Sequence, residues 1–112
     1  MIKNYTPHTL TILLEDGRTV SIPSSGTARV EMSPPVLLYT VDCDGTPVPV
    51  LRTEVAGKVF GLPEREPGVF LVVSLLTVRA APTRDDLLIP NGVVRDRQGR
   101  VIGCRSLAIP AR

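Results

Sequence analysis

Eleven prolines and nine glycines are spread along the whole of this 112-residue chain, and they leave little room for long helices. Proline removes a backbone donor and glycine favours turns, so the chain is cut into short segments. Between the cuts the apolar residues are mostly β-branched or aliphatic. There are 15 Val, 13 Leu and 6 Ile with 10 Thr, against four aromatics, Tyr5, Tyr39, Phe60 and Phe70. Short strands joined by turns are the expected outcome. The length suits one domain spanning residues 1–112, able to build a core without disulfides or a metal. With 43% hydrophobic and 21% charged residues, a disordered tail, a collagen-like repeat and a coiled coil are excluded.

Local patterns sharpen this into mostly β: a small antiparallel β-barrel or sandwich with at most one or two short helices. Leu10–Leu14, the Asp16-Gly17 turn and Thr19–Ile22 read as a hairpin. Ala28–Met32 and Val36–Val41 read as further strands. Val48-Pro49-Val50 is barred from the middle of a sheet because Pro49 has no donor. Thr53–Ala56 and Lys58–Phe60 bracket Gly57 as a second short hairpin or bulge, and residues 61–68 form a polar loop with two prolines. Val69–Val73 suits a buried strand, and Leu75–Ala81 can form two helical turns with Ser74 near the N-cap. A last hairpin covers Val93–Leu107. The expected core is Leu10, Ile12, Leu14, Val20, Ile22, Val30, Leu38, Phe70, Val72, Leu76, Leu87, Ile89, Val101 and Leu107.

The uncharged apolar stretch Val69–Val78 is half of what a membrane-spanning helix requires. The N-terminus has no apolar signal core, so a cytoplasmic protein is expected. Cys43 and Cys104 make no Cys-x-x-Cys pair, and with one histidine no four-ligand zinc site is expected. No cofactor is implied. The net charge of +2 announces neither nucleic acid nor a membrane. The charge is uneven: residues 79–112 carry seven Arg and three Asp, whereas residues 1–78 carry six basic and eight acidic residues. Eleven of the thirteen basic residues are Arg, which suits bidentate recognition of anions. Genome composition bias would produce the same enrichment.

Enzyme signatures are scarce, so no catalytic residue is assigned. His8 has no nucleophile marked by a motif, and the glycines are scattered singly rather than gathered in a phosphate loop. Three segments are more specific. Asn4-Tyr5-Thr6-Pro7-His8 is either the structural entry to the first strand or a presenter of Tyr5 and His8. Arg84-Asp85-Asp86 either closes a loop by salt bridges or holds a hydroxyl-bearing anion. Arg95, Arg97, Arg100 and Arg105 make either a solvated hairpin face or an anion site. The site expected from these residues is His8, Arg84, Asp86, Arg95 and Arg105 on one surface.

The opening Asn4-x-Thr6-Pro7-His8, Gly61-Leu62-Pro63, Val73-Ser74, Arg84-x-Asp86-Leu87 with Pro90, and Val94-Arg95-Asp96 with Gly99 and Ile102-Gly103 resemble a group of small uncharacterised phage, prophage and bacterial proteins. The resemblance implies a phage or mobile-element setting and carries no functional residues over. Three functions follow as expectations. The first is a non-enzymatic binding protein that holds a small anionic ligand, such as a nucleotide immune signal sequestered in an anti-defence role. The second is an interaction or assembly protein, a homo-oligomer included, that acts through an exposed sheet edge. The third is a small nucleotide phosphoesterase using His8 and an Asp.

Overall fold

A computed structural model describes residues 1–111, with backbone alone at 55 and 56. Among the described residues ten strands and one short helix follow in order. The strands are β1 (Ile2–Asn4), β2 (Leu10–Leu13), β3 (Thr19–Ile22), β4 (Arg29–Met32), β5 (Val36–Cys43), β6 (Thr46–Arg52), β7 (Val55–Phe60), β8 (Phe70–Val72), then β9 (Leu87–Arg95) and β10 (Val101–Ala108). The helix α1 (Leu75–Ala80) lies between β8 and β9. Ser74 caps it, its hydroxyl accepting from the Thr77 amide at 3.2 Å, as a Ser before an apolar turn should.

Six strands form one sheet in the order β1-β8-β9-β10-β2-β3. The chain leaving β3 returns to β1: Asn4 bridges Ser24, the Ser25 amide donates to Asn4 O at 2.8 Å, and the Ala28 amide donates to Tyr5 O at 3.0 Å. The sheet therefore nearly closes into a barrel. The β2–β3 and β9–β10 hairpins are antiparallel. The pairs β1–β8, β8–β9 and β10–β2 are parallel, a mixture that hairpin signals in a sequence do not reveal, because parallel neighbours are distant in the chain.

Two clusters fill the body. Leu10, Ile12, Val72 and Cys104 make one, and Ala28, Leu71, Val73, Val78 and Leu87 make the other. Strand β8 contributes to both, because successive side chains point to opposite faces. Parallel neighbours on either side and clusters on both faces explain its uncharged run. Among the expected core residues, Leu10, Ile12, Val72 and Leu87 are buried, and Leu14, Ile22, Val30, Ile89 and Leu107 are half-buried. Val20, Leu38, Phe70, Leu76 and Val101 are exposed instead. Phe70 shares a face with the buried Val72 but starts β8, at the end of the strand, and is left 43% exposed there. Leu76 lies on the face of α1 opposite the buried Thr77 and Val78. Gly57 does not break the chain but sits inside β7, where the β4–β7 register slips, the bulge outcome.

The remaining strands leave the barrel. Strands β4 and β7 form one two-stranded ribbon, and β5 and β6 form another. The radius of gyration is 17.5 Å, against about 13 Å for a compact domain of this length. Extents of 52 × 38 × 23 Å show where the difference arises: a body with a projecting arm.

Candidate interaction surface

The Asn-x-Thr-Pro-His opening is an internal knot. Asn4 is fully buried, and its carboxamide uses both ends. Its Nδ2 donates to His8 O at 2.7 Å and Ile22 O at 3.0 Å, while its Oδ1 accepts from the Thr6 amide at 3.0 Å and the Thr6 hydroxyl at 2.6 Å. Ser24 Oγ completes the seam by donating to Thr6 O at 2.7 Å. The chain bends over Thr6, Pro7 and His8, which turns His8 O back towards Asn4. The motif thus ties β1 to the end of β3 at the point where the barrel closes, which is its structural reading.

Arg84 and Asp86 form a bidentate pair, Nε to Oδ1 at 2.9 Å and Nη2 to Oδ2 at 2.8 Å, with side chains 19% and 5% exposed. The hydrogen bond from Arg84 holds the Asp86 carboxyl below the usual range against the opposing effect of burial, and the same bond raises the Arg84 guanidinium. The Asp86 carbonyl accepts the Leu71 amide at 2.9 Å, so the pair anchors the entry to β9 against β8. Asp85 points the other way and pairs with Arg65 of the polar loop at 2.5 Å.

Arg95 stands at the far end of β9, roughly 25–30 Å along the strand from Asp86 by strand rise. Its Nη1 donates to Gly99 O at 2.8 Å within its own turn. Arg105 lies on the outside of the barrel, where Nη1 donates to Leu13 O at 3.2 Å beside the Asp16–Arg18 turn. His8 lies apart from these arginines, on a groove of about 380 Å³ formed with Thr9, Leu10, Val93, Ile102 and Cys104. The five residues expected on one surface are therefore distributed: Arg84 and Asp86 meet each other, and His8, Arg95 and Arg105 occupy three other places. Among the described residues no cluster of His, Cys, Asp and Glu could hold a metal ion. No described helix is long and apolar enough to cross a membrane.

The exposed apolar surface of the β5–β6 hairpin is a feature that sequence reasoning passed over. Every residue of β5 is exposed, and in β6 all but Val50 are. The register places Tyr39 opposite Val50 and Val41 opposite Val48, and paired residues share a face. Tyr39, Val41, Val48 and Val50 therefore line one face, while Thr40, Asp42, Pro47 and Pro49 line the other. Near the base, Val36 and Leu38 border a shallow apolar groove with Ser33, Pro34, Arg52 and Glu54. Val36, Leu37, Leu38, Tyr39, Val41, Val48 and Leu51 are 44–61% exposed. An isolated two-stranded hairpin is marginal in water, and single monomers rarely carry contiguous apolar patches of this kind. The signal was present in the sequence, as Val36–Val41 followed by a β6 with two prolines. Apolar alternation reads as core, however, until the tertiary structure shows that nothing covers it. Comparison with protein families, curated proteins and solved structures finds no match to this chain.

Proposed function

We propose that the chain is an interaction protein whose projecting β5–β6 hairpin docks on another protein surface, with the barrel as its rigid mount. The observation that carries this reading is the exposed apolar hairpin, which no other element among the described residues covers. The arginines add little to the anionic-ligand reading: Arg84 is bonded to Asp86, Arg95 to its own turn and Arg105 to Leu13 O. A docking or blocking role would suit the phage or mobile-element setting that the resembling motifs imply. The test is a double variant, Tyr39→Asp with Val48→Asp, which puts charge on the apolar face without touching the barrel. It should abolish association, with itself or with another protein, in sedimentation and co-purification while leaving the unfolding midpoint of the barrel in place. Association unchanged in this variant overturns the reading.

A second reading, retention of a small ligand, has one observation in its favour, the His8 groove. Mass spectrometry of the denatured protein should then release a ligand from the wild type and not from Leu10→Glu or Ile102→Glu. No ligand released from the wild type defeats it.

A further inference from the structure

The two outer edges of the hairpin differ, and the difference decides what can pair with it. Asp44 and Gly45 have φ of 49° and 91°, the two left-handed residues that a type I′ turn requires. The residues flanking such a turn, here Cys43 and Thr46, form a hydrogen-bonded pair, and hydrogen-bonded and open pairs alternate from there. By that alternation Val41–Val48 and Tyr39–Val50 are hydrogen-bonded, whereas Asp42–Pro47 and Thr40–Pro49 are open. The amide of an open-pair residue points away from the hairpin. On β6 both open positions are proline, so that edge has no donor at 47 or 49. On β5 they are Thr40 and Asp42, and no proline occurs anywhere in Val36–Cys43. One edge is closed and the other is open.

We propose that β5 pairs antiparallel with β5 of a second copy of this chain about a two-fold axis, forming a four-stranded sheet in the order β6-β5-β5-β6. The proposal rests on the reading of the hairpin as an interaction element and names its partner. An antiparallel strand pair is self-complementary about a two-fold axis, so no second kind of surface is needed. Pro47 and Pro49 then occupy both outer edges and stop growth at two copies. Asp42 is the one charged residue of β5. Centring the seam on Thr40 separates the two Asp42 residues by about 13 Å along the strands, and sets Tyr39 of each copy beside Val41 of the other on the apolar face. The surface agrees in size. The chain exposes 7891 Å², against roughly 6,000 Å² for a compact monomer of its mass. The surplus exceeds the ~800 Å² that each partner buries in a standard interface.

Light scattering and sedimentation equilibrium at micromolar concentration test this directly. The wild type should show twice the 12.1 kDa of one chain. Thr40→Pro removes the outward amide with the residue that β6 already uses at open positions, and should give a 12.1 kDa species with an unchanged far-ultraviolet spectrum. Thr40→Lys is the second variant, in case the proline disturbs the hairpin: it keeps every amide, sets two ammonium groups together on the axis and should also give a monomer. Thr40→Ser should remain a dimer. A monomeric wild type overturns the pairing. A dimer that survives Thr40→Pro and Thr40→Lys but is lost in Tyr39→Asp with Val48→Asp overturns edge pairing while the docking hairpin stands. A dimer that survives all of these variants overturns both.

Discussion

Leu71, Val72 and Val73 of the barrel are 0–2% exposed, whereas Leu37, Leu38 and Tyr39 of the projecting hairpin are 46–58% exposed. The two triplets are alike as sequences. What separates them is their surroundings: β8 has strands on both sides and clusters on both faces, while β5 has one neighbour and no covered face. The polar groups show the same division. Asn4, Thr77 and Asp86 are buried in the body with their hydrogen bonds made, and no buried side-chain polar atom among the described residues lacks a partner. The body is complete by itself. The hairpin leaves its apolar face uncovered.

Substitutions can break or sharpen this contrast. The largest effect is expected at Leu71, at 2% exposure. Leu71→Ala should cost about 3–4 kcal/mol in urea unfolding, the range for truncating a buried leucine, and a loss under ~1 kcal/mol would mean that the body is not tightly packed.

Asp86→Asn comes next, at about 3 kcal/mol, the low end for breaking a buried pair because Arg84 keeps some water contact. The pair also sets a pH dependence. The folded-state carboxyl of Asp86 lies below its unfolded value, so its contribution is fully present above the ordinary carboxylate range, near pH ~4. It is lost as pH falls through the folded value. Acid titration of the unfolding free energy should show this loss in the wild type and a shallower slope in Asp86→Asn; identical slopes would remove the pair from the stability of the body.

Asn4→Ala should cost about 2 kcal/mol in thermal unfolding by removing the carboxamide donor to Ile22 O and His8 O, of which His8 O keeps only the Thr6 hydroxyl at 3.2 Å. Asn4→Asp should be no rescue, since a carboxylate would face two carbonyl oxygens. Full stability in Asn4→Asp would show that the seam is not held as described.

The smallest effect belongs to the hairpin. Val41→Ala, measured under conditions where the protein is monomeric, should change stability by less than ~0.5 kcal/mol, as surface changes do. A cost near that of Leu71→Ala would mean that the hairpin is packed within one chain, and the contrast would fail.

The sequence by itself determined what depends on near neighbours. Asp16-Gly17 placed the first hairpin turn, Ser74 the helix cap, and Pro49 kept β6 out of the middle of a sheet, because turn and cap preferences are set by a few adjacent dihedrals and donors. Asn4 and Thr6 were visible as a motif, and Arg84 and Asp86 as a pair. Only the tertiary structure decided that Asn4 reaches Ile22 O, that β1, β8 and β9 lie parallel, and that Arg95 sits a strand's length from Asp86. It also decided that Phe70 faces water while Leu71 beside it does not. Alternation in a strand gives two faces and does not say which of them another element will cover. That is why Leu38, in the apolar strand Val36–Val41, reads as core along the chain and stands uncovered in space.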